Sequence, residues 1–400
     1  MVHAMHHRVY FAPGMFGFGR LTSFDYFEHV ERSIAGRLEA QGHSVETYVA
    51  DLPPTASIRR RAAALAERVA RSAEGEHDAS GPIHLVGHST GGLDARLLAS
   101  PGVDLDVPPE TLAWLPRLAS VTTMNTPHLG TPLASFFATV SGQRMLYAVT
   151  ALTIVGLTAG APPLAVASTL VVALGRLDRA VGLSDRIVDR STESLLRVLD
   201  DARSGEVREY LAALRHDQGA ILQLAPEAMD VFRAAVHDRP GVSYGCTVSM
   251  APPPSAAHLA RNLLTPLAPW RALSASLFST LYGLTARSDD RYPCAAKSVE
   301  PAAARELERA FGRVPGARAN DGVVPILSQL HGALLWTGHA DHLDVLGHFE
   351  PPGSAAAKVK AARADWLRSG SEFSHARFDA LSDAVTRHLA EAGNRLQSRS

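Results

Sequence analysis

Hydrophobic and polar positions along the chain follow two periods. Short runs rich in apolar and β-branched residues predict strands at Arg8–Ala12, Ser44–Ala50, Ile83–Val86, Ala119–Met124, Val242–Met250 and Gly332–Trp336. Longer stretches with helical spacing predict helices at Phe24–Ala40, Ile58–Arg71, Leu93–Ala99, Asp185–Leu214, Asp217–Val236 and Ser374–Ala392, with Pro226 separating two helices. Pro252–Thr280 is Pro/Ala-rich and is expected to be irregular. The alternation of strands and helices predicts an α/β fold with a mainly parallel, doubly wound sheet.

The alternation stops at Met145–Gly175, which contains no Asp, Glu, Lys or Arg. The break Ala161-Pro162-Pro163 divides this stretch in two. A buried helix pair, an apolar lid over an active site and a transmembrane hairpin are the three interpretations, and the prolines leave each half short for a membrane span. We expect two short helices that cover apolar surface, because exposing so many apolar side chains to water is costly.

Composition narrows the function classes. The 400 residues are 46% hydrophobic and 20% charged, as in globular proteins, and the net charge of −1 does not favour a nucleic-acid partner. The two cysteines, Cys246 and Cys294, form one bridge or none. Residues 1–11 have no long apolar core and no small-residue cleavage site. We therefore expect no signal peptide and a cytoplasmic location.

The pattern Gly-x-Ser-x-Gly occurs twice, around Ser89 and around Ser243. Ser89 follows a predicted strand and precedes a predicted helix, which is the context of a nucleophile on a sharp strand-to-helix turn. The flanking glycines Gly87 and Gly91 are wanted there because a Cβ would collide as the backbone doubles back. Ser243 runs on into a predicted strand. We therefore interpret Ser89 as the nucleophile and Ser243 as a strand residue.

A serine nucleophile needs a base and a carboxylate that orients the base. Asp321 lies in a predicted turn and His342 in a loop after the last predicted strand, so the chain order is serine, acid, histidine. Asp341 and Asp344 are too close in sequence to His342 to reach its far nitrogen easily. A metal site is the alternative use of the histidines His331, His339, His342 and His348. Their spacing matches no common zinc pattern.

The chain resembles the bacterial triacylglycerol lipases, which belong to the α/β-hydrolases. The motifs that carry the resemblance appear in order, over most of the length: Pro13–Phe18, Asp25–Phe27, Gly87–Gly91, Asn125–Thr131, Asn320–Gly322 and Asp341–Asp344. The family loop usually begins His-Gly, whereas this chain has Pro13-Gly14. The region Pro252–Ala317 does not match closely.

The resemblance implies an α/β-hydrolase fold in which Ser89 is the nucleophile, His342 the base and Asp321 the acid. It implies an oxyanion hole formed by the backbone N–H groups of Met15 and Thr90, and it favours the lid interpretation. Members of the family often bind a structural calcium; Asp344 matches one ligand position, His348 stands where the family has a glutamine, and no second aspartate ligand is identified, so calcium is not part of the prediction. No cofactor is otherwise expected.

Domain limits follow from the same reading. Residues 1–130 and 241–400 are expected to form the two halves of one catalytic domain, with residues 131–240 inserted as a helical cap. The predicted activity is hydrolysis of carboxylic esters with apolar acyl chains, with possible contact to a lipid interface. The alternatives are acyl transfer or polyester depolymerisation with the same triad, and a non-catalytic lipid-binding or membrane-associated scaffold.

Overall fold

The computed structural model describes residues 4–15, 20–21, 24–73, 81–139, 142–143, 145–146, 150, 197, 205, 207–209, 211–212, 217–257, 268–287, 298–348 and 367–399. Its strands are β1 (His6–Ala12), β2 (Arg20–Leu21), β3 (Phe24–Asp25), β4 (Ser44–Val49), β5 (Ile83–His88), β6 (Leu118–Met124), β7 (Ser243–Met250) and β8 (Ala333–His339). Its α-helices are α1 (Glu28–Ala40), α2 (Ile58–Ala73), α3 (Thr90–Ala99), α4 (Pro132–Phe137), α5 (Gly219–Gln223), α6 (Pro226–Ala235), α7 (Ala268–Thr285), α8 (Pro301–Phe311) and α9 (His375–Gln397).

Six strands form one parallel sheet in the order β4-β1-β5-β6-β7-β8, while β2 and β3 form a small antiparallel pair. Helices α1 and α9 pack on one face of the large sheet, and α2 and α3 pack on the other. All residues of β5 and β6 are buried, as expected for parallel strands covered on both faces. The parallel, doubly wound sheet predicted from the sequence is confirmed.

The strand order reverses beside β1, because the chain passes from β1 to β4 on one side and then to β5 on the other. Ligands of open α/β sheets bind at the carboxyl ends of the strands where such a reversal occurs. The loop that follows β1 and the turn that follows β5 meet at this point, since Ala12 pairs with Gly87 in the sheet. The topology therefore puts Gly14, Met15 and Ser89 at one edge.

The predicted starts of two helices were wrong by three or four residues. The helix expected from Phe24 begins at Glu28, because Phe24–Asp25 pairs as β3 and a side-chain oxygen of Asp25 accepts the N–H of Phe27 in a turn. The helix expected from Leu93 begins at Thr90, directly after Ser89.

The irregular region expected at Pro252–Thr280 was wrong from Ala268 onward, where α7 begins. Three hydroxyl residues obscured this helix, since Ser and Thr favour non-helical backbone when their hydroxyls bond locally. Here Ser279, Thr280 and Thr285 each donate to the carbonyl four residues earlier, which satisfies them within the helix. Helix α8 was not predicted.

Most of the uncharged stretch Met145–Gly175 lies outside the described residues, so neither the lid nor the hairpin interpretation is addressed there. Met145 and Leu146 are buried against the main core. Most of the predicted helix Asp185–Leu214 and all of the residue range 288–297, which holds Cys294, also lie outside. Cys246 is a buried free thiol. No helix in the described part of the chain is long and apolar enough to cross a membrane.

Candidate active site

Ser89 occupies a strained turn between β5 and α3. Its φ of 54° and ψ of −127° lie in a region that non-glycine residues rarely adopt. Its N–H donates to the carbonyl of Met124 at 2.8 Å, which ties the turn to β6. A Cβ on Gly87 would collide with the backbone of Gly91, and one on Gly91 would collide with that of Ala12. The close approach predicted for the two flanking glycines is confirmed, and the turn lifts the Ser89 side chain to the sheet edge.

Asp321 and His342 form a buried pair. The Nδ1 atom of His342 lies 2.8 Å from Oδ2 of Asp321, and the backbone N–H of His342 donates to the carbonyl of Asp321 at 2.9 Å. Since a carboxylate only accepts, the hydrogen sits on Nδ1 and leaves Nε2 of a neutral ring as an acceptor. The pair therefore has the tautomer that a general base for a hydroxyl requires.

The turn around Asp321 holds one oxygen of its carboxylate through backbone N–H groups. Its Oδ1 atom accepts the N–H groups of Val323 at 2.9 Å and Val324 at 2.7 Å. Gly322, at φ 100°, permits the tight turn, and its N–H donates to the side chain of Asn320. One carboxylate oxygen is thus occupied by backbone donors, which leaves the other to face His342.

Two amide side chains support that second oxygen, and sequence reasoning assigned neither of them a role. Asn125 donates from Nδ2 at 3.0 Å, and Gln329 donates from Nε2 at 3.2 Å. Asn125 also donates to the hydroxyl of Ser249, and Gln329 forms hydrogen bonds with the backbone N–H and carbonyl of Ser249. Asn125 could be suspected from its place directly after β6, whereas nothing local marks Gln329. Together with His342, these donors satisfy Oδ2 of Asp321 without water.

His88, which lies between Gly87 and Ser89, links the Ser89 turn to the loop that carries His342. His88 contacts the base loop, with its Nε2 atom 2.9 Å from the carbonyl oxygen of His342 and the two ring centroids 4.7 Å apart. Within the described residues no hydrogen bond joins the Ser89 hydroxyl to His342. Of the two links expected in a triad, the acid–base link is therefore formed and the nucleophile–base link is open. Such links commonly close when substrate binds.

The loop after β1 is anchored by a buried ion pair. Arg61 and Asp94 are both fully buried and lie 2.8 Å apart. Arg61 also donates to the carbonyl of Pro13 at 2.6 Å, directly before Gly14 and Met15. Because a carbonyl is a backbone group, proline serves here as well as histidine would. Burial raises the pKa of Asp94 to about 6, against the opposing effect of Arg61.

This loop lies against the elbow. A Cβ on Gly14 would be 2.9 Å from the Cβ of Ser89, so only glycine allows the approach. Met15 is buried one residue further on. Thr90 is the first residue of α3, so its N–H has no acceptor within the helix. The two backbone groups that the sequence suggested as oxyanion donors therefore belong to segments that flank Ser89.

The other sequence candidates lie elsewhere. Ser243 is the first residue of β7, as predicted, and its hydroxyl accepts from Arg395. The four histidines considered as a metal site have separate partners: His342 binds Asp321, His331 binds Asp238, His348 binds the carbonyl of Tyr26, and the His339 ring packs against Phe311. Asp344 accepts from the N–H of Asp341 and the hydroxyl of Ser371.

No group of three or more His, Cys, Asp or Glu side chains among the described residues is arranged to hold a metal ion. The calcium site considered at Asp344 stays an expectation of the resemblance, and no step of the proposed chemistry is derived from a metal.

No protein-family model and no curated protein matches the sequence. The chain is similar to solved structures of bacterial lipases and esterases. A metagenomic carboxyl esterase has 16% identity and a TM-score of 0.47, over 98% of this chain and 77% of its own. Lipase 1 from Pelosinus fermentans has 16% identity and a TM-score of 0.47, over 95% of this chain and 98% of its own. The Staphylococcus hyicus lipase has 15% identity and a TM-score of 0.48, over 96% of this chain and 95% of its own. At these identities and TM-scores, the function has to be inferred from the site itself.

Proposed function

We propose that this chain is a serine hydrolase of carboxylic esters. The observation that carries the proposal is the buried Asp321–His342 pair, held by His88 beside a serine on a strained strand-to-helix turn. A strained backbone conformation at the carboxyl edge of a sheet supports a functional role for the side chain, because such residues cluster at active sites. A carboxylate that fixes the tautomer of a histidine next to that serine supports nucleophilic catalysis.

In the proposed reaction, the Ser89 hydroxyl oxygen attacks the ester carbonyl and its proton passes to Nε2 of His342. The tetrahedral oxyanion accepts hydrogen bonds from the backbone N–H groups of Met15 and Thr90. His342 then gives its proton to the departing alcohol, which leaves an acyl-enzyme. A water molecule, deprotonated by the same histidine, releases the carboxylic acid and restores Ser89. Asp321 orients His342 and stabilises its charged form throughout.

Hydrolysis of a soluble nitrophenyl ester tests this assignment. Ser89→Ala should lower kcat on the order of 10⁶-fold, as removal of a triad nucleophile does, while the unfolding transition stays intact. Ser243→Ala is the matched control, because it changes the serine of the same five-residue pattern at the start of β7. It should keep at least half of the activity. Full activity in Ser89→Ala would overturn the proposal.

The substrate class proposed is an ester with an apolar acyl chain, supported by the sequence motifs and by the uncharged stretch Met145–Gly175. A series of nitrophenyl esters from acetate to palmitate should show kcat/KM rising with chain length. If the uncharged stretch covers the site in water, hydrolysis should also rise when the substrate passes into an emulsion. A rate that falls steadily with chain length would instead indicate a small-ester esterase.

A further inference from the structure

A continuous chain of buried hydrogen bonds runs beneath the candidate active site. The hydroxyl of Tyr26 lies 2.7 Å from Nδ1 of His88, and Nε2 of His88 lies 2.9 Å from the carbonyl oxygen of His342. The Tyr26 hydroxyl also lies against Gly14, where an added Cβ would be 3.2 Å from its oxygen. Tyr26, His88 and His342 are each at most 5% exposed.

The hydrogen bonds along this path all point in one direction, from Tyr26 to His88 to His342. A carbonyl oxygen only accepts, so the hydrogen of His88 is on Nε2 and points at His342. The Nδ1 atom of a neutral ring is then an acceptor, and the hydroxyl hydrogen of Tyr26 points at it. Every buried polar group along the path is satisfied in this arrangement, which favours one tautomer and one hydroxyl orientation.

Three segments far apart in sequence meet on this path. Gly14 precedes the proposed oxyanion donor Met15, His88 precedes the proposed nucleophile Ser89, and His342 is the proposed base. Apart from its own backbone bond to Asp321, the main chain of His342 is held at this edge by His88. We propose that Tyr26 and His88 are positioning residues that fix these three segments relative to one another, an inference that rests on the proposed ester hydrolysis.

The charge of His88 matters as much as its position. His342 becomes positively charged during the reaction, and a second cation with its ring centroid 4.7 Å away would oppose that step. Burial lowers the pKa of His88 well below its ordinary value, and the neighbouring His342 lowers it further. Tyr26 also favours the neutral ring, because its O–H donates to Nδ1 of His88, the nitrogen that would have to take up the second proton. Burial keeps Tyr26 itself neutral by raising its pKa.

Two substitutions of His88 test its hydrogen bonds to Tyr26 and to His342 separately. His88→Gln keeps an N–H that reaches the carbonyl of His342 and loses the acceptor for Tyr26. His88→Asn keeps an oxygen near Tyr26 and loses the donor to His342. We expect kcat to fall roughly tenfold or more in His88→Asn and by less in His88→Gln, with KM changed less than twofold in both, because a lost hydrogen bond corresponds to about one power of ten.

Tyr26→Phe completes the test. It should lower kcat several-fold on its own and less than twofold in the His88→Gln background, since the link is already broken there. Tyr10→Phe is the matched control: this tyrosine is also buried, in β1, and its hydroxyl lies 2.9 Å from the Ser72 hydroxyl, away from the site. It should leave kcat unchanged within twofold. Independent, multiplying effects of Tyr26→Phe and His88→Gln would overturn the inference.

The state of the His88 ring can be read without turnover. In protein labelled with ¹⁵N-histidine, the signals lost in His88→Gln should report a neutral ring with its hydrogen on Nε2 from pH 5 to pH 8. A charged ring or the opposite tautomer would overturn the inference whether or not the protein hydrolyses esters. Conversely, a wild-type protein with this tautomer but no esterase activity would refute the proposed function alone.

Discussion

Oδ2 of Asp321 accepts a hydrogen bond from Nδ1 of His342 at 2.8 Å, and both side chains are removed from water. The two residues are 21 positions apart, in the turn before β8 and in the loop after it. Because the other carboxylate oxygen is held by backbone donors, the position of His342 is set by the turn itself. In a neutral His342 ring this relationship places the hydrogen on Nδ1 and leaves Nε2 as an acceptor.

Asp321→Asn should lower kcat by about 10⁴-fold, because an amide donates where the carboxylate accepts and favours the wrong tautomer of His342. Asp238→Asn is the matched control, since Asp238 pairs with His331 at 3.0 Å outside the site. It should change kcat less than threefold. Steady-state kinetics on a nitrophenyl ester measures both, and equal losses in the two variants would count against the assignment of the acid.

Arg61→Met should lower both stability and activity. Removing one member of a buried ion pair leaves Asp94 uncompensated and costs about 3–5 kcal/mol of the free energy of unfolding. The same change frees the carbonyl of Pro13, so the loop that carries Met15 loses its anchor.

Adding Asp94→Asn should recover part of the stability but not kcat, because the carbonyl of Pro13 still lacks its donor. Urea unfolding and kinetics are measured on both variants. If the double variant regains full activity along with stability, Arg61 has no part in placing the loop.

Acid should destabilise the fold through a histidine cluster at the amino end of the sheet. His7 Nδ1 lies 2.9 Å from His84 Nε2, and His84 Nδ1 lies 2.8 Å from the Ser120 hydroxyl. Burial lowers the pKa of His7 from 6.5 to about 4, aided by His43, and burial aided by Arg395 lowers that of His388 from 6.5 to about 4. A histidine whose pKa is lowered by folding binds fewer protons in the folded state.

The free energy of unfolding is therefore unaffected by this titration above pH 6.5 and decreases as the pH falls toward 4. The decrease is about 3 kcal/mol for each of His7 and His388. Urea unfolding at pH 7.5 and pH 4.5 measures the loss. His388→Leu should reduce this pH dependence by about 2–3 kcal/mol, whereas His237→Leu, at an exposed position, should leave it unchanged. An unchanged dependence in His388→Leu would show that this histidine does not contribute.

The sequence predicted the parallel sheet and the Ser89 turn because both depend on local signals, namely apolar runs, glycine spacing and helix-forming stretches. Chain order and the family resemblance predicted the Asp321–His342 pair, but not the amide side chains that support it, because those contacts depend on how the loops pack. Gln329 supports Asp321 only because the short 3₁₀ turn Ile326–Gln329 packs beside β7. Nothing in its neighbours marks that contact.

Arg61 is an intermediate case. Three consecutive arginines in a helix suggest a solvent-exposed face, and Arg59 and Arg60 are indeed exposed. Arg61, however, lies four and eight residues before Leu65 and Val69, which belong to the buried stripe of α2. Helical periodicity therefore indicated its burial, but its partners Asp94 and Pro13 required the tertiary structure.

Covalent capture of Ser89 tests the central claim most directly. The protein is incubated with a fluorophosphonate probe, which labels activated serines, and the modified peptide is identified by mass spectrometry. The account predicts a single adduct on Ser89, strongly slowed labelling in Asp321→Asn, and none in Ser89→Ala. Labelling of Ser243 instead, or no labelling of the folded wild-type protein, would contradict it.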